Sequence, residues 1–112
     1  MDNSEIVDAL SGVWYLATAE GDQPHVRPLD KATEVDGKVY FGTARNKKMF
    51  DQILVNPFVE VYALNEFGAC RFMAEAYEEE DIEIAKRAFE MMGKPFDEEA
   101  SVAIRLENIR KA

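Results

Sequence analysis

Cysteine and histidine are almost absent from this sequence, which holds one of each among its 112 residues, Cys70 and His25. A single cysteine excludes a disulfide within the chain and fits a reducing compartment. With one histidine and one cysteine, the sequence offers neither a nucleophile triad nor a cluster with metal-ligand spacing. We therefore expect no metal centre in this protein.

Glycine-rich nucleotide loops and long apolar runs are missing as well. No Gly-x-Gly-x-x-Gly motif follows a predicted strand, so a Rossmann nucleotide-binding fold is unsupported. No apolar stretch approaches membrane-spanning length. The first five residues are acidic where a secretory signal would be basic. We therefore expect a cytoplasmic protein that does not bind a membrane.

Positive charge is scarce, with 13 lysine and arginine residues against 22 acids and a formal net charge of −9. Binding to nucleic acid needs a broad basic face, so we expect no nucleic-acid partner. The cations are unevenly distributed, however, because the segment from His25 to Lys48 holds six bases and three acids. This basic segment has the size expected for contact with one small phosphorylated ligand.

Apolar patterning and turn signals predict six strands and about three helices. The strands are expected at residues 13–19, 25–35, 38–43, 58–64, 69–77 and 101–108, with turns at 36–37 and 65–68. The helices are expected up to residue 10, at 46–55 and at 78–92. Short strands joined mostly by hairpins predict a mainly β fold, a six-stranded antiparallel Greek-key barrel, in a single domain spanning residues 1–112. A barrel of six strands has little interior room, so a cofactor would lie outside it, most economically between two copies.

Two cations stand where a helix is expected to begin. Lys47 and Lys48 fall in the first turn of the helix at 46–55, where the helix dipole and unpaired N–H groups already present positive charge. Lysine is mildly unfavourable there unless an anion completes the site, and Thr43 ends the preceding strand. We therefore expect a phosphate bound by Arg27, Thr43 and Lys47. The alternative is that these lysines are solvated surface charges.

Several stretches form a recognisable set when they are taken in chain order. They are WYLAT at 14–18, GDQPHVRP at 21–28, GKVYFGT at 37–43, Lys47, and Asn56-Pro57. Together they resemble the pyridoxamine 5′-phosphate oxidase-like, FMN-binding split-barrel family over nearly the whole chain. The resemblance implies a split β-barrel that forms a homodimer, with FMN held at the subunit interface.

The resemblance also assigns roles to individual residues. It implies that Arg27 and Lys47 contact the FMN phosphate, that Thr43 hydrogen-bonds to it, and that Lys48 is an additional contact. The strand backbone beside the isoalloxazine ring would be that of Val26, Arg27, Pro28 and Leu29.

One departure from the family pattern narrows the function. True pyridoxamine phosphate oxidases carry an Arg-x-His motif near the C-terminus, whereas the only histidine here is His25. We therefore expect an FMN-dependent oxidoreductase that passes electrons from a reduced nicotinamide or another carrier to a small acceptor, and not vitamin B6 oxidation. Two alternatives stay open: a non-enzymatic FMN protein for electron transfer or flavin sensing, and a relative that binds haem, with His25 as ligand, or a deazaflavin.

The roles of four further residues stay open at this point. His25 has the same side-chain parity as Arg27 and could face the cofactor, or it could be a surface histidine. Lys31 could lie near the pyrimidine edge of the flavin. Cys70 fits a small buried thiol better than a redox thiol. Phe96 could cover the flavin from the partner chain.

Overall fold

The computed structural model describes residues 2–66 and 68–112, and that part of the chain forms three helices and seven strands. The helices are α1 (Asn3–Ala9), α2 (Lys48–Val55) and α3 (Ile82–Met91). The strands are β1 (Val13–Glu20), β2 (Gln23–Asp30), β3 (Thr33–Val35), β4 (Lys38–Ala44), β5 (Phe58–Asn65), β6 (Gly68–Glu78) and β7 (Ser101–Lys111). The predicted mainly β fold with three helices is confirmed. Phe67, inside the predicted turn at 65–68, lies outside the described residues.

All neighbouring strands pair antiparallel, in the order β2-β1-β5-β6-β7-β4-β3. The end strands β2 and β3 do not pair with each other in the described part of the chain, so the sheet is open. The prediction of a six-stranded Greek-key barrel is therefore wrong in its details. The structure has seven strands in one sheet that is not closed.

The seventh strand exists because the predicted strand at 25–35 is interrupted. Lys31 has a φ of 37°, in the left-handed region that an extended strand does not use. The next residue, Ala32, donates its backbone N–H to the Leu10 carbonyl at the end of α1, at 3.1 Å. The chain therefore leaves β1 after Asp30, and β3 pairs with β4 instead. This interruption makes β2 an edge strand.

The main core lies on the inner face of the sheet, which α1 and α2 cover. Its largest fully buried side chains include Trp14, Leu16, Phe41 and Phe72. Trp14 and Phe41 meet edge to face, with ring centroids 5.3 Å apart. Because α2 buries Met49 and other apolar residues in this core, the start of the helix is held at a fixed place beside the sheet.

A smaller apolar cluster on the other face of β4 and β7 holds α3. Helix α3 begins at Ile82 and not at residue 78 as predicted, because β6 runs to Glu78 and the Asp81 carboxylate accepts from the Glu83 N–H at 3.0 Å. None of the described helices is both long enough and apolar enough to cross a membrane.

Tyr40 lies on the α3 side of β4. Its environment leads us to expect that the folded protein loses stability in alkali. Its hydroxyl donates to Glu79 Oε1 at 2.7 Å, and burial, together with this carboxylate, raises the pKa of Tyr40 to about 12 from an ordinary value of 10.0. A raised folded-state pKa stabilises the fold fully below about pH 10, and that contribution is lost as the pH rises through about 12. We expect the urea midpoint to fall more steeply between these pH values in the unsubstituted protein than in Tyr40→Phe. Equal slopes would contradict this assignment.

Candidate functional site

A cavity of about 390 Å³ opens where the edge strand β2, the end of β4 and the start of α2 meet. Its lining residues are Arg27, Pro28, Leu29, Gly42, Thr43, Ala44, Lys47, Lys48 and Met49. The volume lies within the range of about 300–1,000 Å³ that is usual for small-molecule sites. The cavity therefore has room for a ligand of cofactor size.

Six of the seven predicted site residues line this cavity, and Val26 does not. The prediction for Val26 concerned its backbone, and because successive side chains of a strand alternate between faces, its side chain points away from the face of Arg27. The Val26 side chain is 68% exposed and lies opposite Ala17 on the outer face of the sheet. The structure adds Gly42, Ala44 and Met49 to the predicted set.

Arg27 is the half-buried cation of the cavity, and three hydrogen bonds hold its guanidinium. Nη1 donates to Thr18 Oγ1 at 2.9 Å and to the Leu16 carbonyl at 3.2 Å, and Nη2 donates to Gln52 Oε1 at 2.7 Å. Burial lowers the pKa of Arg27, but a guanidinium keeps its charge at neutral pH. No carboxylate in residues 2–66 and 68–112 forms an ion pair with it. The cavity therefore contains a fixed positive charge that is not paired with any described carboxylate.

The contacts of Thr18 and Gln52 with Arg27 are not among the predictions from the sequence, although the position of Gln52 is a signal of such a role. Gln52 lies three residues after Met49, so it occupies the buried stripe of α2 where an apolar residue is expected. It is 6% exposed, and Thr18 is 3% exposed. A glutamine in such a stripe needs a polar partner inside the protein.

The start of α2 contributes two more cations. Lys47 is the N-cap residue and makes no side-chain hydrogen bond to the helix. Lys47 and Lys48 are both exposed, and neither forms a salt bridge with any described residue. The acid nearest in sequence is Asp51, in the same first turn. Uncapped N–H groups beside two lysines form a typical environment for an anion.

Thr43 of β4 points into the cavity because side chains alternate between the two faces of a strand. Thr43 follows the fully buried Phe41 by two residues, so both side chains point to the inner face. Gly42, between them, adjoins α3, where an added Cβ would lie 3.0 Å from Phe89 Cζ. The strand end is therefore packed tightly against α3 while it offers a hydroxyl to the cavity.

The basic segment of the sequence divides into separate groups in the structure. Arg45 Nη2 is paired with Glu78 Oε2 at 2.8 Å, and the Arg45 guanidinium lies 5.8 Å from the centre of the Phe50 ring. Lys31 and Lys38 are exposed and do not line the cavity. Of the six bases, Arg27, Lys47 and Lys48 are the ones brought together.

None of the four residues with open roles, His25, Lys31, Cys70 and Phe96, lines the cavity. His25 Nε2 lies 3.2 Å from Glu20 Oε1. Burial raises the pKa of the half-buried Cys70 thiol, which favours the protonated, less reactive form. Phe96 packs edge to face on Phe89 of α3, with ring centroids 5.2 Å apart. Its predicted contact with a partner's flavin stays a prediction.

One ion pair lies at the end of β2, where Asp30 follows the cavity residue Leu29 in the chain. Lys94 Nζ, in the loop after α3, is 2.7 Å from Asp30 Oδ1 at the end of β2. The hydrogen bond from Lys94 and its charge lower the pKa of Asp30. The ion pair joins the loop after α3 to the strand that carries Arg27.

The chain is similar to several solved structures, whereas no protein-family model and no curated protein sequence matches it. A NimC/NimA family protein from Clostridium acetobutylicum is 32% identical, with a TM-score of 0.85, over 92% of this chain and 80% of that one.

Two more distant structures show a similar fold. A provisionally assigned pyridoxamine 5′-phosphate oxidase from Listeria innocua is 23% identical over 96% of this chain and 94% of that one, with a TM-score of 0.68. An FAD-binding protein from Mesorhizobium loti is 19% identical over 96% of this chain and 87% of that one, with a TM-score of 0.65. The resemblance seen in the sequence is thus confirmed: this chain belongs to the NimC/NimA family, with the split-barrel fold of pyridoxamine 5′-phosphate oxidase-like proteins.

Proposed function

We propose that this protein is a flavoprotein that binds FMN in the cavity between β2, β4 and α2, and that it acts as an oxidoreductase. The observation that carries the proposal is the convergence of Arg27, Lys47 and Lys48 on one cavity without a paired carboxylate among the described residues. In a chain with a formal net charge of −9, three uncompensated cations at one place favour a multiply charged anion.

The residues present fit a flavin phosphate in their chemistry. Arg27 supplies a planar fork of N–H donors, the lysines supply mobile point charges, and Thr43 supplies a hydroxyl. Leu29 and Met49 add apolar walls to the same cavity. A ligand with one phosphate and a large flat apolar part matches this combination of a charged and an apolar lining.

The comparisons support a flavin-type cofactor. The structural neighbour from Mesorhizobium loti is named as an FAD-binding protein, and a second neighbour carries the name of pyridoxamine 5′-phosphate oxidase. A flavin, when bound, supplies reversible hydride and electron transfer. The role of this chain is then to hold the phosphate through Arg27, Thr43 and the lysines, and to exclude water from the ring with Leu29 and Met49.

We further propose that the working form is a cytoplasmic homodimer with the cofactor at the subunit interface. The outer face of β1, β2 and β5 carries large exposed apolar side chains, which we call the outer patch: Val13, Tyr15, Val26, Phe58, Tyr62 and Leu64. A patch of this kind marks an interaction surface. Pro28 lines the cavity and lies opposite Tyr15 in the sheet, so the cavity borders the outer patch.

A charge placed in the outer patch tests the dimer. Tyr62→Glu would bury an unpaired carboxylate in the interface, at a cost of about 3–5 kcal/mol, so we expect the dimer dissociation constant to rise by about 100-fold or more. Light scattering with size-exclusion chromatography measures this change. Ile82→Glu is the matched control, because Ile82 is 42% exposed, close to the 39% of Tyr62, but begins α3, which packs on β4 and β7 away from the outer patch. Equal behaviour of the two variants would contradict a dimer through this face.

The visible absorption spectrum of the purified protein, followed by addition of NADH or NADPH under anaerobic conditions, tests the function. We expect a flavin spectrum that is bleached by the donor and restored by a small acceptor such as a quinone. A flavin spectrum without reduction or turnover would favour a non-enzymatic electron-transfer or sensing protein. A haem or deazaflavin spectrum would replace FMN, although His25, which a haem would need, does not line the cavity.

A further inference from the structure

Three side chains from three different elements form a closed hydrogen-bonded group below the cavity. Thr18 of β1 donates its hydroxyl to Gln52 Oε1 of α2 at 2.6 Å, and Arg27 of β2 donates to both of them. Thr18 and Gln52 are buried and lie outside the cavity lining, while Arg27 lies in it. The pair therefore reaches a ligand only through Arg27.

Packing alone does not require polar residues at these two positions. A valine has nearly the shape of a threonine, and an apolar residue at position 52 would match its buried neighbours Met49 and Ile53. Buried polar groups destabilise a fold unless all their hydrogen bonds are made. Here Thr18 donates to Gln52, and the oxygen atoms of both side chains also accept from Arg27, so the guanidinium adds two hydrogen bonds to the polar pair.

The hydrogen bonds leave part of the guanidinium free. They use both N–H groups of Nη1 and one of Nη2, and none of the described residues accepts from Nε. A guanidinium has five N–H donors in a rigid plane, so Nε–H and the second Nη2–H remain on one edge. That edge is a bidentate donor of the type that phosphate oxygens accept.

The acceptors are also neutral, which preserves the charge of Arg27. A carboxylate at position 52 would fix the guanidinium equally well but would compensate its positive charge. A threonine hydroxyl, a glutamine amide oxygen and a backbone carbonyl hold the group in place without doing so.

We propose that Thr18 and Gln52 are positioning residues for Arg27, and that through it they set the preference of the cavity for a phosphorylated flavin over the unphosphorylated one. This inference rests on the proposed function. Both residues lie in the core, and Gln52 belongs to the same helix α2 whose start carries Lys47 and Lys48.

The test compares dissociation constants for FMN and riboflavin in Thr18→Val and Thr18→Ser. Thr18→Val keeps the shape and removes the hydroxyl, whereas Thr18→Ser keeps the hydroxyl. We expect the ratio of riboflavin to FMN dissociation constants to fall about tenfold in Thr18→Val, through weaker FMN binding alone, and to be retained in Thr18→Ser. Gln52→Glu, which preserves the hydrogen bond to Arg27, is expected to weaken FMN binding at least as much. Circular dichroism checks that each variant is folded.

A readout without ligand separates this inference from the proposed function. In nitrogen-15 NMR of the ligand-free protein we expect slow rotation of the Arg27 guanidinium, which becomes fast in Thr18→Val and stays slow in Gln52→Glu. A mobile Arg27 in the unsubstituted protein would overturn the positioning role. An unchanged riboflavin-to-FMN ratio in Thr18→Val, with FMN still preferred by the unsubstituted protein, would overturn it and leave the proposed function intact. If the unsubstituted protein binds no FMN, the proposed function and the inference both fall.

Discussion

Replacing Arg27 and Lys47 together with alanine is expected to abolish FMN retention while the chain stays folded. Each charge-assisted contact to a phosphate contributes about 1.5–3 kcal/mol, so the loss of two weakens binding by about two to four orders of magnitude. Lys47 is exposed, and truncating it removes no core contact. Arg27→Ala leaves the Thr18 hydroxyl donating to Gln52, so that buried hydrogen bond survives. The measurement is the flavin content after purification, with equilibrium titration of FMN.

The control for this variant must change the net charge by the same amount elsewhere. Lys38→Ala/Lys86→Ala does so, because both lysines are exposed and neither lines the cavity. We expect FMN binding in this control to stay within about threefold of the unsubstituted protein, since exposed charges at a distance are screened. Equal losses in the two double variants would mean that net charge, and not the cavity, governs the affinity. Full flavin retention in Arg27→Ala/Lys47→Ala would remove the site from this cavity.

Trp14→Ala is expected to give the largest loss of stability, about 3–5 kcal/mol. Trp14 is fully buried at the centre of the main core and packs edge to face on Phe41. Truncation removes this aromatic contact and leaves a cavity that the neighbouring strands cannot fill. Because the whole free energy of unfolding of such a domain is about 5–15 kcal/mol, the variant would lose a large share of it. Urea denaturation measures the change.

Trp14→Phe separates the contribution of the ring from that of its polar atom. Trp14 Nε1 is buried, and no described residue accepts a hydrogen bond from it. The phenylalanine variant therefore loses volume but no hydrogen bond, and it removes an unsatisfied donor. We expect a destabilisation below about 1.5 kcal/mol. A loss as large as that of Trp14→Ala would show that the indole N–H has a partner in solution.

The sequence predicted the fold where local patterns and packing agree. A run of β-favouring residues located β1, alternation located β7, and the apolar spacing of Met49, Phe50 and Ile53 located α2. The predicted strand at 25–35 failed because a tertiary hydrogen bond from Ala32 to Leu10 competes with strand pairing there. That contact joins residues far apart in the chain, so it cannot be predicted from the local sequence.

The candidate site could be predicted because charge and helix position reveal it locally. Lysines at a helix start stand out in an acidic chain, and Arg27, Thr43 and Lys47 do meet at one cavity. The prediction for Val26 concerned its backbone beside the flavin ring and stays a prediction; its side chain lies on the opposite face from Arg27. The support of Arg27 by Thr18 and Gln52 joins positions far apart in the chain, so only the folded structure reveals it.

A crystal structure of the protein with FMN bound tests the central claim most directly. We predict that the phosphate lies within hydrogen-bond distance of Arg27, Thr43 and Lys47, at the start of α2, with the Nε and Nη2 edge of Arg27 turned to it. An FMN phosphate bound elsewhere on the molecule, with Arg27 and Lys47 contacting only water, would contradict the account.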